Sequence, residues 1–437
     1  MNYPSFASLK KRMAKSPTLL LASSAFMGQL ILFAGMPLLS RVYGPEAFGT
    51  FAMVSAISAF ASVVPSLRLE LAIPIEEKEE LAERIVLTSL RFSIYIGSVT
   101  ALVLIAISAL GGLRNYGDGF HVAMWCAPGV AATTAMLLVM NQWAIRRGDY
   151  RPIAVRNVTR NTSMILMQVA FGFVASSAAS LMLGLLLANL ISIASMVRAG
   201  GLTMAGIFFK KIRSVEVLCQ WKRFSAKLIG SGLLNNAGAQ LPIVFFAFYF
   251  SQAETGQLGM AQRVLAVPVA VLGVAIGQSF IGEFARLTRE GKDGKPVFVS
   301  SSIRLAIVSA IFATMAIAFS PIVFSAVLGR EWGIAGSYSS ILAVGVAAQL
   351  VAAPLSQVII VKGHTRIQLW WDATRTAVTL GAIAGLGYWG AGEKATIWAM
   401  ALISALSYLV LWVIAYLLLK HSPPNIAIAD RGIRGAS

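Results

Sequence analysis

The chain has 437 residues, of which 57% are hydrophobic and 12% charged, with a formal net charge of +18 at pH 7. A soluble domain carries about 25% charged residues, so the composition excludes an ordinary soluble protein and points to an all-α polytopic membrane protein. The basic excess does not indicate a nucleic-acid partner, because most Lys and Arg cluster at the ends of apolar segments, where topology signals sit.

A spanning helix needs about 20 mostly apolar residues, and twelve stretches qualify. The first, 18–40, follows Lys10, Lys11, Arg12 and Lys15 and is too long for the apolar core of a secretory signal, so it reads as an uncleaved span. The second, 49–73, ends in Ser66-Leu-Arg-Leu-Glu-Leu-Ala-Ile-Pro74. On one regular helix Arg68 and Glu70 would point about 200° apart and would not pair. An acidic loop, 76–84, leads to the third span, 86–111, whose Arg91 is expected to form a cationic mouth with Arg68. The fourth, 122–144, is followed by the polar turn QWAIRRGDYR, residues 142–151. The fifth, 154–176, carries Arg156, Asn157, Arg160 and Asn161 in its first turns, and the sixth is 179–197. A basic stretch, 201–227, is expected to lie along the membrane surface, with Phe208, Phe209, Ile212 and Val215 at helical spacing.

The seventh span, 228–250, presents Asn235, Asn236 and Gln240, and the eighth, 256–281, presents Gln262 and Arg263. The ninth, 300–328, has Arg304 near its start, and the tenth is 338–361. Asp372 and Arg375 open the eleventh, 369–390, and the twelfth, 396–419, leads into a polar tail, 421–437. The connecting segments on one side, with both termini, hold 25 Lys and Arg against four on the other, which predicts cytoplasmic termini.

Two halves of six spans are similar in sequence. At a constant offset of 215, Gln142, Ile145, Gly148, Arg151, Thr159 and Arg160 meet identical residues at Gln357, Ile360, Gly363, Arg366, Thr374 and Arg375. Gly49 and Met53 meet Gly256 and Met260 at offset 207. Halves of six helices share one orientation, so the expected architecture is two parallel-repeat six-helix lobes around a central cavity. The expected organisation is a lobe at 1–200, a cytoplasmic basic linker at 201–227, a second lobe at 228–420 and a cytoplasmic tail at 421–437.

Charge at membrane depth costs a few kcal/mol or more per residue. Seven arginines nevertheless lie within the predicted spans, with only Glu70 and Asp372 at similar depth. That surplus reads as a site for an anion that crosses the membrane, since guanidinium stays charged and binds phosphate oxygens in pairs. Arg68, Arg91, Arg160, Arg263 and Arg375 are the candidate headgroup contacts, with Asn235, Asn236, Gln240 and Gln262 for a sugar-like cargo. Glu70 and Asp372 are candidates for coupling to an ion or proton. No phosphate-cradling Gly-Lys-Ser/Thr loop, zinc-protease helix or nucleophile elbow occurs, so neither an enzyme nor a cofactor is expected.

Leu39-Ser-Arg-Val-Tyr-Gly-Pro-Glu-Ala-Phe-Gly49, Ser66 through Pro74, Gln142-Trp-Ala-Ile-Arg-Arg147, Gln262-Arg-Val-Leu-Ala-Val-Pro268, Leu328-Gly-Arg-Glu-Trp332 and Pro354-Leu-Ser-Gln-Val358 together resemble the O-antigen and polysaccharide flippase family. That family belongs to the multidrug/oligosaccharidyl-lipid/polysaccharide exporter superfamily. The resemblance covers roughly residues 15–420. It implies a flippase that carries a polyprenyl-pyrophosphate-linked oligosaccharide across the bacterial inner membrane by alternating access. It also implies membrane lipids, a polysaccharide polymerase and a chain-length regulator as partners, and no nucleic acid. The alternative is a secondary transporter or drug extruder for small solutes. Its basic motif between the second and third spans is absent, since that loop reads EEKEELAER.

Overall fold

The computed structural model describes residues 17–110, 118–210, 213–290 and 292–421. The basic segment Lys10–Lys15, Arg114, Ile212 and the tail beyond residue 421 lie outside the described residues. The helices are α1 (Pro17–Val42), α2 (Pro45–Ala61), α3 (Glu79–Ala109), α4 (Asp118–Arg146), α5 (Arg151–Val174), α6 (Ala178–Ala199) and the short α7 (Met204–Phe209). They continue as α8 (Ser214–Tyr249), α9 (Gln252–Arg289), α10 (Lys295–Val323), α11 (Gly333–Leu355), the short α12 (Gln357–Val361), α13 (Thr365–Tyr388) and α14 (Glu393–His421). No strand occurs among the described residues.

Apart from α7 and α12, these helices follow the twelve predicted spans in order. Seven are long and apolar enough to cross a bilayer by length and composition alone: α1, α3, α4, α6, α10, α11 and α14. The fold is that of a multi-pass membrane protein. On α5, α8 and α13 the apolar character is diluted by the residues singled out above, among them Arg160, Asn235 and Arg375. Chemistry and span quality compete for the same positions.

Two boundaries differ from expectation. The second span does not run to residue 73. α2 stops at Ala61, and the chain continues through turns in which Leu67 and Arg68 take left-handed backbone angles, φ 53° and 55°. Left-handed geometry costs a side-chain-bearing residue roughly 1–2 kcal/mol, so tertiary contacts must hold it. The Leu67 carbonyl accepts from Ser225 Oγ at 2.5 Å, and Leu69 is fully buried. Arg146 donates to the carbonyls of Ile73 (2.8 Å), Glu76 and Glu77 (3.3 Å), pinning the far end. The second difference is the basic stretch. Within it α7 exposes Phe208 and Phe209, while α8 starts at Ser214 and runs unbroken through residue 227.

By contacts the chain forms two compact units, Met1–Gly259 and Met260–Ser437. α8 groups with the first because it packs along α2 and the turns that follow it. Asn236 Nδ2 donates to the Ala59 carbonyl at 3.1 Å, and Gly232 lies against the Arg68 guanidinium. The first unit has a core built on Leu69, Ile85, Leu90, Met136, Trp143 and Met196. The second is centred on Phe280, Phe284, Phe298, Leu355, Tyr408 and Leu411.

The internal repeat is visible in local geometry. α4 ends at Gly148 with φ 66°, where the Asp149 amide reaches back to the Ala144 carbonyl at 3.1 Å. Gly363, 215 residues later, has φ 78°, and the His364 amide reaches the Ile359 carbonyl at 2.9 Å. Both are glycine-terminated helix ends in which a left-handed residue lets the next amide satisfy an orphan carbonyl. The basic residue before each glycine closes a second helix: Arg147 donates to Gly200 O, just past α6, at 2.6 Å, and Lys362 to Leu418 O in the last turn of α14 at 3.4 Å. Phe173 and Val174 at the end of α5, and Tyr388 and Trp389 at the end of α13, are matching exposed positions. Aromatic side chains at such ends suit a bilayer interface.

Candidate functional site

Three polar clusters occupy the units, two in the first and one in the second. The first lies in the turns after α2. Arg68 Nη1 and Glu70 Oε1 are 3.5 Å apart, with the carboxylate only 2% exposed. This corrects the expectation that the two would not pair: they do not share a regular helix, and the left-handed Arg68 brings its side chain round to Glu70. The pair is incomplete, because Ser66 Oγ, Arg68 Nε and Glu70 Oε2 are buried without hydrogen-bond partners.

The second cluster fills the interior between α1, α4, α5 and α6. Arg156 and Arg160 are one turn apart on α5 and so share a face. Arg160 Nε donates to Asn189 Oδ1 at 2.7 Å, and Asn189 Nδ2 reaches Thr133 Oγ1 at 3.1 Å and Thr134 Oγ1 at 3.3 Å. Arg156 donates to Asn157 Oδ1 at 2.5 Å, whose Nδ2 donates to Ser24 Oγ at 3.1 Å. Neither arginine forms an ion pair with a carboxylate among the described residues, and Arg156 Nε has no partner. Hydrogen bonds to amides orient a guanidinium but leave its charge uncompensated. This cluster therefore carries two positive charges with no carboxylate paired to them among the described residues.

The third cluster belongs to the second unit. The Arg375 guanidinium lies over the rings of Trp371 (4.9 Å) and Tyr408 (5.5 Å) and meets the Tyr408 hydroxyl at 3.3 Å. Asp372 Oδ1 is 3.9 Å away, and its other oxygen accepts from Gln368 Nε2 at 3.5 Å. Aromatic faces attract a cation without neutralising it. The repeat-related Arg160 and Arg375 thus have the same address: each sits on the fifth long helix of its half and reaches for the sixth, through Asn189 on α6 and Tyr408 on α14.

The other candidates are placed differently. Arg91 donates to the carbonyls of Ile207 (2.6 Å) and Lys210 (2.5 Å), so it caps the end of α7 while Arg68 engages Glu70. Arg263 and Gln262 are half-buried on α9. Asn235 is exposed, Asn236 is tied to α2, and Gln240 is half-buried. Arg304, near the start of α10, is exposed, as a side chain reaching for headgroups would be. Sequence reasoning missed Asn189. The signal was present, because it is a lone amide in the apolar run LLLANLIS.

Comparison with known proteins agrees with this architecture. Residues 38–337 match the model of a family described as polysaccharide biosynthesis protein. The chain is 20% identical over 379 residues to the succinoglycan biosynthesis transport protein ExoT of Rhizobium meliloti, covering 84% of this chain and 73% of that protein. Among solved structures it is similar in fold to the lipid II flippase MurJ in an inward closed conformation, with a TM-score of 0.72 at 11% identity over 92% of this chain and 90% of that one. It is also similar to an inward-facing multidrug resistance MATE family transporter of the MOP superfamily, with a TM-score of 0.68 at 15% identity over 92% and 98% of the two chains.

Proposed function

Because the chain belongs to the polysaccharide biosynthesis protein family, we propose that it is a flippase. It moves a polyprenyl-pyrophosphate-linked oligosaccharide from the cytoplasmic to the outer leaflet of the bacterial inner membrane for surface polysaccharide assembly. The observation that carries this reading is the Arg156–Arg160 cluster, two cations inside a helical unit that donate to asparagine amide oxygens and pair with no carboxylate among the described residues. A membrane protein bears such a cost when an anion visits.

Arg160, Arg263 and Arg375 are the leading headgroup contacts. Arg375 lies over two adjacent rings, which limit how its guanidinium can turn. Glu70, with one oxygen unpartnered, and Asp372 are the groups through which an ion or proton would couple to transport. In this reading both termini are cytoplasmic, the motion is alternating access, and a polymerase and chain-length regulator act on the product. The membrane potential supplies about 2.3 kcal/mol per charge per 100 mV, enough to bias the cycle. Extruders of cationic drugs need interior acids, whereas Glu70 is the one fully buried carboxylate among the described residues.

The test is translocation of a labelled lipid-linked glycan in vesicles, with and without added sugar donor. Donor-independent translocation by wild-type protein, lost in Arg160→Ala and Arg375→Ala variants that insert normally, is the expected result. Translocation that needs the donor, or that both variants retain in full, would sink the reading.

A further inference from the structure

A cavity of about 160 Å³ opens where α4 and α6 end and α5 begins. Trp143, Met196 and Pro152 give it apolar walls, and Arg147 and Asp149 line it with opposite charges. These two side chains are exposed and form no ion pair with each other or with any other described residue. The intervening Gly148, with its positive φ, turns the chain between them. Arg147 commits one nitrogen to the Gly200 carbonyl and lies 5.7 Å over the Trp143 ring. Asp149 commits Oδ1 to the Arg151 amide at 3.1 Å. The other guanidinium N–H groups and Asp149 Oδ2 have no hydrogen-bond partner among the described residues. α4 and α6 are both apolar enough to span a bilayer, which puts a cavity at their ends at headgroup depth.

We propose that this cavity holds the headgroup of an aminophospholipid. The phosphate meets Arg147, the ammonium meets Asp149, and Trp143 with Met196 covers the glycerol end. Several observations converge on a zwitterion. The site offers one cation and one anion held apart, and a lipid bearing both charges satisfies each. The carbonyl end of α6, at Ala199, also lines the cavity and favours a cation. An ethanolamine ammonium has N–H donors for a carboxylate, whereas a trimethylated choline has none, and a glycerol headgroup has no positive charge. The repeat supplies an internal contrast: around Gly363 the flanking residues are Lys362 and His364, so the corresponding turn lacks the acid. One site per chain follows, on the first half alone. This inference does not depend on the identity of the transported cargo.

The experiment is lipid retention by the purified full-length protein in native mass spectrometry. Phosphatidylethanolamine, phosphatidylcholine and phosphatidylglycerol of matched chains are offered in turn. Wild-type protein should retain the ethanolamine lipid about tenfold better than either other, as loss of one charge-assisted hydrogen bond implies. Asp149→Asn keeps an oxygen for the Arg151 amide and removes only the charge. It should abolish the preference for ethanolamine while phosphatidylglycerol is retained as well as before or better. Equal retention of the three lipids by wild type, or an unchanged preference in Asp149→Asn at an unchanged melting temperature, would overturn the proposal.

Discussion

Gly49 of α2 and Gly256 of α9 meet backbone against backbone. A Cβ built on Gly49 would overlap the Gln252 carbonyl, and one built on Gly256 would overlap the Pro45 carbonyl, with each also crowding the other glycine's amide nitrogen. The two glycines are the pair matched at offset 207, so the same position of each repeat is used to let two helix starts touch. Only a residue without a side chain permits this approach.

Alanine at either glycine should therefore be costly. The colliding atoms are backbone, which cannot rotate away, so Gly49→Ala and Gly256→Ala are each expected to destabilise the protein by about 1–3 kcal/mol or more. Thermal unfolding of the detergent-solubilised protein checks this. An unchanged melting temperature in both would show that the helices separate at little cost.

Asn189 gives a second prediction. Asn189→Leu leaves the Arg160 guanidinium without its acceptor in the interior, a loss expected to cost about 1–3 kcal/mol. The double variant Asn189→Leu with Arg160→Leu removes the orphaned charge and should recover much of that stability. A cycle of melting measurements decides it, and additive losses would argue that the two side chains do not interact.

At Arg375 charge and shape can be separated. Arg375→Lys keeps a cation but loses the planar stacking on Trp371 and Tyr408. If the guanidinium plane is what the cargo meets, glycan translocation should fall about tenfold or more in the lysine variant while insertion and expression hold. Wild-type translocation would show that charge alone suffices there.

The paired helix ends make a fourth prediction. Gly148→Ala and Gly363→Ala each place a Cβ on a left-handed residue with open space around it. Both should lose about 1–2 kcal/mol through backbone strain alone. Asn, which tolerates this conformation, should lose less at both sites. Unequal losses at the two glycines would break the structural equivalence of the repeats.

Much of the candidate site was legible because charge in an apolar run is conspicuous. Arg160 and Arg375 stand out by cost alone, and the offset of 215 picks them as partners in design. Their acceptors were less visible. Asn189 looks like any amide in a membrane helix, and Tyr408 like any core aromatic. Arg91 has a similar sequence setting, and only the fold shows that its side chain donates to the carbonyls of Ile207 and Lys210.

The helical, multi-pass character of the chain and the order of its long helices were readable from residues alone, because hydrophobic length and polar punctuation are local properties of a chain in a bilayer. The tertiary structure decided where local rules yield. Residues 62–73 read as helix, yet Ser225, Arg146 and the burial of Leu69 hold Leu67 and Arg68 in left-handed turns and bring Glu70 to Arg68. No neighbour in sequence specifies that pairing. It follows from contacts made by helices far along the chain, whose packing repays the local strain.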